Sequence, residues 1–154
     1  MYSQKIYNSI IGILDEANFR YDVNEETGGI WIPRNTVDSM GRTITIAVEV
    51  RETDYIVRGW IDGFSFSEQN HSKLVELAMR INGRYIFPFL VVDYSNSPDI
   101  ICQHFCDVGD RCISKNDFLG SIYTIFNHFI KYGKAIIAVS MGFQNPEDAL
   151  NDAE

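Results

Sequence analysis

Between Thr43 and Asp62 the chain reads T-I-T-I-A-V-E-V-R, a polar E-T-D break, then Y-I-V-R-G-W-I-D. Ile44, Ile46, Val48 and Val50 alternate with Thr43, Thr45, Ala47, Glu49 and Arg51. Period-two alternation in β-branched residues is the pattern of a strand with one buried face and one wet face. The break Glu52-Thr53-Asp54 is short enough to return the second run as an antiparallel partner. The remaining elements must therefore pack on this hairpin.

Taken in order, Ile6, Ile10, Ile13, Leu14 and Ala17 recur at helical steps, which predicts a helix over residues 2–18 with Ser3 as its cap. A short strand is expected over Phe19–Val23, then a turn at Asn24–Gly29. Ile30-Trp31-Ile32 reads as a strand stopped by Pro33, which has no amide hydrogen to donate. A polar loop follows over Asn35–Gly41. After the central hairpin, Ser65 and Glu68 have capping-box spacing, with Ser67 a rival cap. The helix they open carries Leu74, Leu77, Ala78 and Ile81 on one stripe, and Asn82-Gly83 predicts a left-handed stop. Tyr85–Val92 is apolar at both parities, which suggests a strand that Pro88 confines to an edge or bulge. Asp93–Pro98 reads as a turn and Ile100–Val108 as a returning strand. Ser114 and Asp117 open the last helix, whose apolar face runs from Phe118 to Ile137, with a break expected near Gly133.

The order helix, three or four strands, helix, two strands, helix predicts an α+β fold: an antiparallel β-sheet flanked by three helices. At 154 residues this is most economically one domain over 1–141. The stretch 142–154, with Glu147, Asp148, Asp152 and Glu154 around Leu150, is expected to be a loose acidic tail.

Thirteen Lys and Arg against 21 Asp and Glu give a net charge of −8. Such a surface repels phosphate backbones, and no basic stripe offsets it, so nucleic acid is not an expected partner. The most apolar region, Phe118–Met141, is interrupted by Asn127, His128, Lys131 and Lys134, so no membrane span is expected. The N-terminus lacks a continuous apolar signal core, and the cysteines number an odd three. Reduced thiols in a cytoplasm are the corresponding expectation.

Cys102-x-His104-x-Cys106, with Cys112 beyond, contains only residue types that bind zinc. On a strand, however, same-face neighbours stand about 6.5–7 Å apart, so the outer thiols are separated by about 13 Å. Zinc reaches its ligand atoms at only about 2.0–2.3 Å. Packed thiols and a sheet-surface histidine are the expected roles, and no metal or other cofactor is predicted. A nucleophilic cysteine with His71, His104 or His128 as base has no local signature to support it, and no catalytic residue is assigned. Gly28-Gly29 and Gly41 precede strands rather than helices, so they form turns and do not cradle phosphate.

The aromatics are more informative. With Val57 and Ile61 in the core, Trp60 lies on the outer sheet face beside Arg58, and both residue types are enriched in binding hot spots. The competing expectation places Trp60 under the Leu74–Ile81 helix. Arg58, Trp60, Phe64, Phe66, Phe87 and Phe89 are the expected protein-binding residues. The double-sided apolar run also calls for a covering subunit.

The opening helix followed by F-R-Y-D and a glycine turn, the strand around I-T-I-A-V-E-V, and the helix L-V-E-L-A-M-R-I-N ending at Asn82 together resemble the YbjN-type domain. So do the aromatic strand, turn and second strand that follow, and the closing S-K-N-D-F-L-G helix. These are proposed bacterial sensory-transduction regulators with a type III secretion chaperone-like fold. The resemblance spans about residues 2–140; Gly83 stands where the family pattern has a second asparagine. It implies a small, acidic, non-catalytic protein-binding module of chaperone, adaptor or regulatory type, expected as a homodimer and bound to a protein partner. The alternative is a small-molecule-binding or enzymatic domain with a cleft near Cys102, His104 and Trp60.

Overall fold

A computed structural model describes residues 1–37, 42–93 and 99–154. The chain runs α1 (Gln4–Glu16), β1 (Asp22–Asn24), β2 (Gly29–Val37), β3 (Thr43–Val50) and β4 (Asp54–Ile61). It continues through α2 (His71–Asn82), β5 (Phe89–Asp93), β6 (Asp99–Asp107), α3 (Lys115–Ser140) and α4 (Pro146–Asp152). The strands form one antiparallel sheet in the order β1-β2-β3-β4-β6-β5. This is the α+β antiparallel architecture that the element order predicts.

The alternation sets the register. Ile46 lies opposite Gly59, Val48 opposite Val57 and Val50 opposite Tyr55. A one-residue slip would turn the whole isoleucine and valine row to the wrong face. That row is buried together with Ile30, Ile32, Ile100 and Cys102 beneath apolar side chains of α1, α2 and α3. α3 sits closest over β4. A Cβ added to Gly59 would lie 2.5 Å from Ile125 Cγ2 and 3.0 Å from Ile46 Cδ1. Gly59 is therefore what lets this helix approach the sheet. Lys115 pairs with Glu16 at 3.0 Å, tying the start of α3 to the end of α1.

Two caps form as expected: Ser3 Oγ accepts from the Ile6 amide and Ser114 Oγ from the Asp117 amide. Elsewhere packing changes the local expectation. β2 passes through Pro33 because β1 pairs only as far as Trp31, leaving the rest of β2 as an edge where proline is tolerated. The expected loop over Asn35–Gly41 begins later, since β2 extends to Val37; residues 38–41 lie outside the described chain, as do 94–98 of the expected turn. β1 sits slightly later than predicted, at Asp22–Asn24.

The Ser65–Glu68 capping box does not form. A 3₁₀ turn at Glu68–Asn70 precedes α2, and Ser67 makes no side-chain cap bond. Asn70 Nδ2 instead donates to the Ser140 carbonyl at 2.8 Å, joining the start of α2 to the end of α3. Gly83 is not left-handed, with φ at −63°. The stop signal is Asn82 itself: its Nδ2 donates to the Leu90 carbonyl at 2.9 Å, and its Oδ1 accepts from the Leu90 amide at 2.8 Å. One side chain thus takes the place of a neighbouring strand along the outer edge of β5, blocking part of an otherwise adhesive edge.

β5 begins only after Pro88, so Tyr85–Phe87 stand outside the strand. α3 continues unbroken past Gly133, which is buried in its packed face. The helix penalty of about 1 kcal/mol for glycine is outweighed there by tertiary contact. The expected loose tail is instead helical. α4 is capped by Asn145 Oδ1, which accepts from the Asp148 amide at 2.9 Å. Ala149 and Leu150 of α4 are buried in the core cluster.

Candidate functional site

The outer face of the sheet carries the opposite parity of every strand. Trp31 and Pro33 lie there from β2, Thr45, Ala47 and Glu49 from β3, and Ile56, Arg58 and Trp60 from β4. Gln103 and Phe105 follow from β6 and Phe89 and Val91 from β5. No described helix covers this face. Phe105 is 56% exposed, Phe89 47% and Val91 39%, a row of large apolar side chains on the two outermost strands at that end of the sheet. Trp60 is half-buried among its strand neighbours and not under α2, which lies on the other side.

A polar cluster sits in the middle of the apolar surroundings. Arg58 hydrogen-bonds Glu49, and Arg51 Nε reaches the second Glu49 oxygen at 3.2 Å. Burial alone would push the Glu49 carboxyl up, but the bonds and charge of Arg58, then of Arg51, outweigh it and hold it below its ordinary value. Arg58 is therefore oriented and still one-third exposed. Beside it, Thr45 Oγ1 donates to the Asp62 carboxylate at 2.9 Å. The arrangement is an apolar platform with a fixed charged centre, suited to burying a partner surface and setting its register.

Of the six expected binding residues, Arg58 and Trp60 are central to this face and Phe89 is exposed at its edge, whereas the exposed Phe87 stacks on His104 on the helix side. Phe64 and Phe66 are not available. They are 8% and 6% exposed and belong to the core. Their chain follows β4 over the end of the sheet, so the two rings fold inward, 6.2 Å apart. Trp31, Phe105 and Val91 escaped the sequence reading. Their parity follows only once the pairing of β2, β5 and β6 is known.

The cleft expected near Cys102, His104 and Trp60 does not form, because the sheet separates its members. His104 is opposite Val57 and Cys102 opposite Gly59, so both face the helices, whereas Trp60 has the other parity. Cys102 is fully buried, and burial pushes its thiol well above the ordinary value. The three cysteines are free thiols. Among the described residues no three His, Cys, Asp or Glu side chains are grouped closely enough to hold a metal ion. None of the described helices is long and apolar enough to cross a membrane.

A sheet of six antiparallel strands with its helices on one face and an aromatic platform on the other defines an α+β domain with one uncovered sheet face. Among solved structures the chain is similar to YbjN from E. coli, a proposed transcription regulator. The TM-score is 0.60 and the identity 9%, covering 84% of this chain and 90% of that one. At that identity the likeness is one of fold, the same fold that the sequence resemblance implies. No family model and no curated protein matches the chain.

Proposed function

We propose that the chain is a non-catalytic protein-binding module of adaptor, chaperone or regulatory type, acting in the bacterial cytoplasm through the uncovered face of its sheet. The observation that carries this reading is the apolar row on that face, with Phe89 and Phe105 about half exposed beside the oriented Arg58 and Trp60. Aromatic residues and arginine around a desolvated centre are what interfaces concentrate. The fold is shared with a protein described as a proposed transcription regulator, which fits a regulatory role. A net charge of −8 argues that any such regulation works through protein contacts and not through direct contact with DNA. A homodimer is one form of the complex, since a second copy offers the same apolar row.

Native mass spectrometry of the chain purified from its own cytoplasm tests the proposal. The expected result is a mass carrying a second polypeptide, either another copy or a distinct partner. Phe105→Asp on the open face should release it, while Met79→Asp on the outer side of α2 should not. A bare monomer, or a complex indifferent to Phe105→Asp, would overturn the reading.

A further inference from the structure

We propose that the cavity between the unpaired end of β6 and the first turns of α3 binds a small amphipathic cation, an aromatic ring or short apolar chain bearing a protonated amine. The cavity arises from one residue. Pro88 has no N–H to give to a ladder, and β5 starts only at Phe89, opposite Gln103. β6 nevertheless runs on to Asp107 beside β4. Among the described residues, 104–107 have no strand on their other side. The space they share with α3 measures about 750 Å³ and lies within the range of small-molecule sites.

Gly120 is the second observation. It lies in α3 and lines the cavity, and a Cβ added there would meet no described atom within 4 Å. A glycine inside a helix costs about 1 kcal/mol relative to alanine. At Gly59 the packed neighbours explain the absence of a side chain. At Gly120 no described neighbour does, and a side chain would reduce the cavity. Gly12 of α1 is also unobstructed, but it faces solvent.

The lining chemistry selects the ligand. One wall is apolar, with Phe87, Val108 and Ile113, and Phe105 borders it from the outer sheet face. Phe87 stacks on His104, their rings 4.4 Å apart. The other wall offers acceptors. Ser121 Oγ has given its proton to the Phe118 carbonyl and Thr124 Oγ1 to the Gly120 carbonyl, each at 2.7 Å. Ser121 is also engaged by Cys106, so Thr124 Oγ1 is the hydroxyl that keeps lone pairs for a ligand. His104 Nδ1 is buried with no hydrogen-bond partner, and burial lowers the imidazole pKa and favours the neutral ring. Burial likewise raises the thiol of Cys106 and the phenol of Tyr55, which keeps both uncharged. The remaining charges are the carboxylates of Asp107 and Asp117 and the guanidinium of Arg111. Arg111 Nη2 already donates to the Asp107 carbonyl at 2.9 Å. Asn116 and Ser114 both donate and accept, so charge decides: two carboxylates against one guanidinium, on a chain of charge −8, favour a positive ligand.

Amide chemical-shift titration of the full chain with phenethylammonium tests this, with phenylacetate as the control of similar size and opposite charge. Phenethylammonium should give saturable shifts at Cys106, Gly120 and Thr124, and phenylacetate should not. Gly120→Leu should abolish the response while keeping the dispersed spectrum of the folded chain. Asp117→Asn, which preserves shape, should weaken binding about tenfold, as expected when a charged hydrogen bond is lost. Should leucine disturb α3, the Asp117 variant alone decides. Absent or unsaturable shifts, an equal response to phenylacetate, or indifference to both substitutions would overturn the proposal.

Discussion

The two faces of the sheet use the same strands and the same hairpin, yet they differ in everything except backbone. The helix-side face is a continuous row of isoleucine and valine at 0–3% exposure along β3. The outer face is mixed, with Thr45, Ala47 and Glu49 on β3 and aromatic side chains standing free toward β5 and β6. One face is filled by the chain itself, and the other is apolar without being filled. Stability therefore resides in the first and the proposed association in the second, and substitutions on the two faces should have opposite signatures.

The sharpest contrast is between two phenylalanines. Phe129 of α3 is fully buried and reaches to 3.4 Å from where a Gly59 side chain would begin. Phe129→Ala should cost about 3–5 kcal/mol in denaturant unfolding. Phe105→Ala on the outer face should cost less than about 1 kcal/mol. Equal losses would mean that the outer face is also packed by this chain, and the comparison would fail.

Gly59→Ala probes the same boundary from the sheet side. Its methyl group must push Ile125 or Ile46 aside, so a loss of about 1–3 kcal/mol is expected. A neutral effect would show that α3 rides further from β4 than the structure places it.

A smaller effect concerns pH. His128 of α3 is buried with Nε2 unpartnered, set 5.0 Å from the rings of both Tyr85 and Tyr132. Burial, helped by the charge of Lys131, pushes its pKa down to about 4. The unfolded chain takes up this proton near the ordinary value of about 6.5, before the folded chain does. The stability His128 contributes is therefore complete above that value and declines as pH falls through about 4. His128→Phe should flatten this part of the pH–stability curve. An unchanged slope would place the proton uptake elsewhere.

Much of the helix-side face was legible in the sequence, and little of the outer face was. Alternation at Ile44–Val50 fixes a strand, its burial and its hairpin partner because each rests on local periodicity. The helices α1, α2 and α3 follow from the same kind of signal. What failed needed knowledge of a neighbour. Asn82 stops α2 by reaching eight residues ahead to Leu90, so the local reading of Asn82-Gly83 as a left-handed cap had no means to find it. Pro88 was read as a limit on a strand, but the cavity it opens depends on β6 running past β5. Phe64 and Phe66 look like their exposed counterparts Phe87 and Phe89 in the sequence. Only the direction in which the chain leaves β4 separates them.

A substitution at the middle of the outer face is the most informative about function. Trp60 is half-buried on the outer face, next to Arg58 on the same strand face, with no described helix over it. Trp60→Ala should lower unfolding stability by less than the loss of about 3–5 kcal/mol for a fully buried aromatic, since part of the ring is already in water. Against a partner bound to this face it should act as a hot spot and cost about 2 kcal/mol, roughly thirtyfold in affinity. Phe66→Ala is the matched control, a core aromatic in the same segment that should lose stability without a separate binding defect. Thermal melts and a binding isotherm on both variants separate the cases. If Trp60→Ala lowers the melting temperature as much as Phe66→Ala and leaves binding intact, the outer face is a second core surface and the division between the two faces does not hold.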